Sequence, residues 1–126
     1  MISVLCLAGC GISTQSVDTA LNAVSLQIDE AQKAGAEELA PSEFDESKTL
    51  LQSALSAQND KQKVILAERA NAKARFAEAL ANQIKAEKEA EKLEKELKII
   101  EEKASTVRSE RQIVEEELKQ FTQNTN

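Results

Sequence analysis

The chain contains no histidine, no tryptophan and no tyrosine, and its only aromatic residues are three phenylalanines. Without an imidazole the commonest general base and the commonest transition-metal ligand are missing. A Ser-His-Asp arrangement is therefore impossible within the chain. Aromatics usually fill the middle of a compact globule, so so few of them argue against a thick core. Proline occurs once, at Pro41, and the last of three glycines is Gly35, so neither breaker occurs after residue 41. Gly9 and Gly11 lie on either side of Cys10 and do not form a phosphate-binding loop. Basic charge is also in short supply, with a net charge of −6. Nucleic acid needs a basic stripe, and an anionic membrane surface attracts the same kind of charge. No apolar run approaches the roughly 20 residues of a membrane span. Carboxylates are abundant, but their spacing brings no oxygen ligands together for a metal. The expectation is a protein that is not an enzyme, with no cofactor, no metal, no small-molecule substrate and no nucleic acid partner.

What is present is helix. The 126 residues set a prior of one domain, and Ala, Glu, Lys, Leu and Gln dominate, as in long helices and coiled coils. From Ile65 every seventh residue is apolar: Ala72, Ala79, Ala86, Leu93, Ile100, Val107, Val114 and Phe121 follow in register. That spacing predicts one helix over about residues 60–121, roughly 90 Å long. Upstream, Val17, Leu21, Val24, Ile28 and Ala31 form a helical stripe, predicting a first helix over about 17–38, capped by Ser16 or Asp18 and ended by Ala40-Pro41. A second helix is expected over about 43–58, started by Ser42 with Asp45 in capping-box spacing. Its buried face is expected to hold Phe44, Leu51, Ala54 and Leu55, widened by Leu50 and Ala57. Asn59 or Asp60 marks the stop and restart.

Between residues 64 and 86 the third helix carries two apolar stripes, the heptad series joined by Phe76 and a second one of Ala67, Ala70, Ala74, Ala77, Ala81 and Ile84. Two stripes call for two neighbours, which the first two helices can supply. The expected fold is all-α: a slender antiparallel three-helix bundle over 17–86 whose last helix extends as a coiled-coil-like rod, with residues 122–126 as a frayed tail.

Beyond Ala86 one seam persists, and Leu93, Leu97, Ile100, Val107, Arg111, Val114, Leu118 and Phe121 are the candidate partner-binding residues. Around them Glu91–Lys95, Glu94–Lys98 and Glu115–Lys119 are spaced to support the helix. A parallel in-register dimer would oppose Glu89 to Glu94, Glu96 to Glu101, Lys103 to Arg108 and Glu110 to Glu115. All four pairs are like-charged, and Arg111 would meet its own copy inside the seam. The seam is left to an antiparallel copy, a different protein, or solvent. Arg69 and Arg111 both occupy seam positions, as outward-snorkelling side chains or as docking points for an acidic partner.

The N-terminus reads Met1-Ile2-Ser3-Val4-Leu5-Cys6-Leu7-Ala8-Gly9-Cys10. Leu7, Ala8, Gly9 and Cys10 resemble the bacterial lipobox. The resemblance implies cleavage after Gly9, loss of residues 1–9 and a covalent diacylglycerol and acyl lipid on Cys10, with residues 10–16 as a tether. It also implies an envelope location, and Gly11, where proteins kept at the inner membrane carry Asp, points to the outer membrane facing the periplasm. Secretion signals usually have a basic start and an apolar run of about 7–15 residues. Here no Lys or Arg precedes Lys33 and nine residues precede Cys10, so a shortened signal is expected. The other reading is a disordered apolar tail with two incidental thiols.

The run Ala31-Gln32-Lys33-Ala34-Gly35-Ala36-Glu37-Glu38-Leu39-Ala40-Pro41, followed by Lys48, Leu51, Ala54 and the Ala67–Ala81 series, resembles DUF4398, a family of bacterial envelope lipoproteins catalogued as a domain of unknown function. The resemblance covers roughly residues 20–90. It implies a corner, a short helix and an Ala-rich third helix, and some members carry a peptidoglycan-binding OmpA-like domain afterwards. It implies no reaction. Two functions stay open: a lipid-anchored structural or scaffolding module that presents its seam to a partner, or a lipid- or client-binding module whose bundle opens as exchangeable apolipoproteins do. Ala-rich stripes and acidic or mixed polar faces favour the first.

Overall fold

The computed structural model describes residues 16–124. It is all-helical, with α1 over Val17–Lys33, α2 over Ala36–Leu39, α3 over Pro41–Ser56 and α4 over Asp60–Asn124. The chain divides into two units, the first ending at Gln83 and the second beginning at Ile84, and α4 runs through both.

Each boundary has a local cause. Ser16 is the N-cap of α1, its backbone extended and its Oγ accepting the Thr19 N–H at 3.3 Å. At the other end Ala34 N–H donates to Glu30 O at 2.9 Å and Gly35 N–H to Gln32 O at 2.8 Å. Gly35 sits at φ 79°, in the left-handed region that glycine enters without a Cβ clash. The first helix was expected to continue to residue 38; it stops at Lys33, and the four residues of α2 follow the glycine as a separate turn. Ala40, pushed out of the α region by the proline that follows, has φ −140° and ψ 53°. Pro41 then starts α3 rather than only ending what precedes it, because its missing N–H is one the first helical turn does not need. Ser42, expected as the cap, lies inside that first turn, and Asp45 reaches Lys48 at 3.3 Å instead of capping. Asn59 caps α4, its Oδ1 accepting from Lys61 N at 2.9 Å and Gln62 N at 3.3 Å.

The first unit holds one core, supplied by Ala20, Val24, Ile28 and Ala31 of α1, Ala36 of α2 with Ala40 after it, Phe44 and Ala54 of α3, and Ala67, Ala70, Ala74, Ala77 and Ala81 of α4. Leu21, Leu39, Leu50, Leu51, Leu66 and Leu80 pack half-buried around it. Polar contacts tie α4 to the other helices: Gln27 of α1 donates its amide to Glu78, and Lys73 meets Glu46 of α3 at 2.7 Å. Phe44 and Val24 are the largest fully buried apolar side chains. Ser47 is fully buried beside them and needs no distant partner, because its Oγ donates to Phe44 O at 2.7 Å.

The face of α3 is narrower than the sequence pattern predicts. Leu55 is 60% exposed, and Ser47, one turn before Leu51, takes the buried position. The larger difference concerns α4. Only one of its two stripes is buried in the first unit, and it is the alanine stripe. The heptad series points outward there: Ile65 is 47% and Phe76 54% exposed, and Ala72 and Ala79 are exposed as well. The physical reason is size. A methyl every third or fourth residue lets neighbouring backbones come close, whereas Ile65 and Phe76 on the inside would hold them apart.

Candidate functional site: the apolar face of the C-terminal helix

Residues 84–124 of α4 belong to the second unit, and there Leu93, Leu97, Ile100, Val107, Val114, Leu118 and Phe121 are all exposed, from 55% at Leu93 and Leu97 to 72% at Phe121. With about 100° between successive residues, these seven and Arg111 occupy an arc of roughly 120° on one side of the helix. Ala104 sits on the same arc and is half-buried. Soluble proteins seldom leave a continuous row of large apolar side chains in water without a use for it.

The surroundings of the row are ionic. Arg111 lies within it, and its Nε reaches Glu115 Oε1 at 2.7 Å, so the guanidinium is held against its own helix. Glu115, spaced to pair with Lys119, is thus engaged by Arg111. Lys92 and Glu89 approach at 3.9 Å. Exposed pairs of this kind contribute under about 1 kcal/mol each. They support an isolated helix without filling the apolar face.

Sequence periodicity missed two residues. Ile99 and Ile113 are 51% and 57% exposed and lie outside the seam. They recur two heptads apart, but at about 100° per residue they fall beyond the seam's arc, Ile113 close to the side opposite it, so seam periodicity does not mark them.

In the first unit Arg69 lines a surface hollow of about 380 Å³ together with Glu46, Leu50, Ala72, Lys73 and Phe76. The Lys73–Glu46 ion pair borders it. Phe44 carries the Lys48 ammonium 4.6 Å from its ring centroid, a contact that covers the core from outside. Among the described residues no group of three or more Cys, Asp or Glu is arranged to hold a metal ion. No helix among them is long and apolar enough to cross a membrane. Leu7, Ala8, Gly9 and Cys10 lie outside the described residues.

Nothing matches this chain among curated proteins or among solved structures. One family model does match, that of DUF4398, a domain of unknown function, over residues 19–93. The match takes in the whole buried core of the first unit and ends where the exposed seam begins. It covers more than half of the chain, and the chain belongs to the DUF4398 family.

Proposed function

We propose that this protein is a non-enzymatic, lipid-anchored lipoprotein of the bacterial envelope that presents a helical face to a protein partner. The observation that carries the proposal is the row of large apolar side chains left exposed on α4 beyond Ile84. The first unit buries the Ala67–Ala81 stripe against its other helices and leaves its ionic groups on the surface, as a support does. In this reading α1, α3 and the start of α4 form a slender antiparallel three-helix bundle. Support comes from the shared core and from the two contacts that place Gln27 near Glu78 and Glu46 near Lys73. The bundle is the spacer, and residues 90–121 are the part that binds.

The anchor is Cys10, with Leu7, Ala8 and Gly9 as the lipobox, and the place is the outer membrane facing the periplasm. The absence of histidine in the chain supports a role without catalysis.

Two measurements test this. Cys10→Ala is expected to abolish acyl labelling and to release the protein from the membrane fraction. Unchanged attachment would overturn the anchor and favour a face that binds lipid directly. Photocrosslinking in intact cells from positions 93, 97, 100 and 114 is expected to trap a protein, while the same probe at exposed Glu102, on the opposite side of the helix, traps none. Equal crosslinking from both sides would remove the seam from consideration.

A further inference from the structure

The partner-binding reading leaves the occupant of the seam open, and the charges beside it narrow the choice. We infer that the occupant is a second copy of this chain, lying antiparallel, with its midpoint near Ser105 and Thr106. The inference rests on the partner-binding reading and adds orientation and register to it.

Two facts on the helix lead there. First, the flanks reject parallel pairing: Glu89, Glu96, Lys103 and Glu110 would each face a residue of their own sign, and Arg111 would face Arg111. Second, the sign of the flanking charge changes at the middle of the exposed stretch. On one flank Glu101 is followed by Arg108, and on the other Lys103 is followed by Glu110. When two such helices run in opposite directions, each flank meets the same flank of the other copy. With the midpoint at 105–106, Glu101 faces Arg108 and Lys103 faces Glu110, and symmetry makes each pair twice.

The apolar layers agree with this register. Leu93 stacks on Leu118 and Leu97 on Val114, and Val107 meets the small Ala104. Arg111 falls opposite Ile100, so two guanidinium groups never meet inside the seam. Each can stay turned outward on Glu115, as the 2.7 Å contact already has it. The outer flanking pairs, Glu94 with Glu115 and Glu96 with Glu117, remain like-charged. The balance is four attractive and four repulsive contacts, where the parallel arrangement has only repulsive ones. Seams of this kind are read by such flanking charges.

Orientation can be tested by sign. Lys103→Glu replaces two attractive Lys103–Glu110 contacts in the antiparallel register with repulsive ones, whereas in a parallel pair it would create an attraction to Arg108. The full chain carrying Cys6→Ala and Cys10→Ala, so that neither lipid nor disulfide contributes, is followed by sedimentation equilibrium, with circular dichroism to confirm unchanged helicity. The background chain is expected to be a reversible dimer. Lys103→Glu is expected to raise the dimer Kd roughly tenfold, and adding Glu110→Lys to bring it back. A lower Kd for Lys103→Glu would overturn the antiparallel orientation, and an unchanged Kd would overturn the register. A strictly monomeric chain would overturn self-association altogether. That last result leaves the partner-binding reading to crosslinking in cells, where a trapped protein other than this chain would uphold it.

Discussion

Two stretches of one helix, residues 67–81 and residues 93–121 of α4, reverse the usual order of inside and outside. The first buries alanine after alanine and leaves Phe76 on its opposite face in water. The second exposes nearly every large apolar side chain it owns. Burial along α4 therefore follows where the other helices lie and how closely they approach, more than it follows hydrophobicity. A residue's place in the heptad says which face it is on. It does not say which face finds a neighbour.

The comparison breaks first at its bulkiest buried point. Phe44→Ala would empty the largest buried site and is expected to cost about 3–5 kcal/mol of stability in chemical denaturation. A loss below about 1 kcal/mol would mean that the Ala-rich core collapses onto the gap. The next test changes a single position by two residues. Ala74→Leu forces a large side chain between closely packed helices and is expected to cost about 1–3 kcal/mol. Ala72→Leu, on the exposed stripe, is expected to stay within about 0.5 kcal/mol. Equal costs would show that the heptad stripe is buried after all. The smallest effect is expected from Leu97→Ala, which should leave the denaturation of the first unit unchanged within about 0.5 kcal/mol. Under the self-association reading it should weaken pairing of the second unit.

Much of this was legible in the sequence, and the misses share a cause. The starts at Ser16 and Asn59 could be read because these caps act through their own backbone and nearest neighbours, whereas the stop before Gly35 and the start at Pro41 were not read. Val24, Ile28 and Ala31 of α1 and the Ala67–Ala81 stripe were legible for a similar reason, since periodicity assigns them to one face, though Ala20 was missed. Periodicity assigns both regular stripes of residues 64–86 to the interior, whereas only the alanine stripe is buried. Which stripe is buried depends on the separation of neighbouring helices, which no local pattern encodes. Leu55 and Ser47 show the same limit on a smaller scale. Apolar character places Leu55 inside, and nothing in the pattern marks the polar Ser47 as buried. Yet Ser47 satisfies its hydroxyl on Phe44 O and so enters the core at little cost.

The alanine stripe has a consequence for temperature. The heat-capacity change of unfolding scales with the apolar surface newly wetted, and ordinary domains show about 12–15 cal/mol/K per residue. Here each buried alanine adds only a methyl group, and the large side chains of the second unit are in water already. Unfolding of this chain alone thus wets little new apolar surface, and its heat-capacity change falls below that range. A small heat-capacity change flattens the curve of stability against temperature. Such a fold is held by modest forces, but it keeps nearly the same margin in the cold as in the warm.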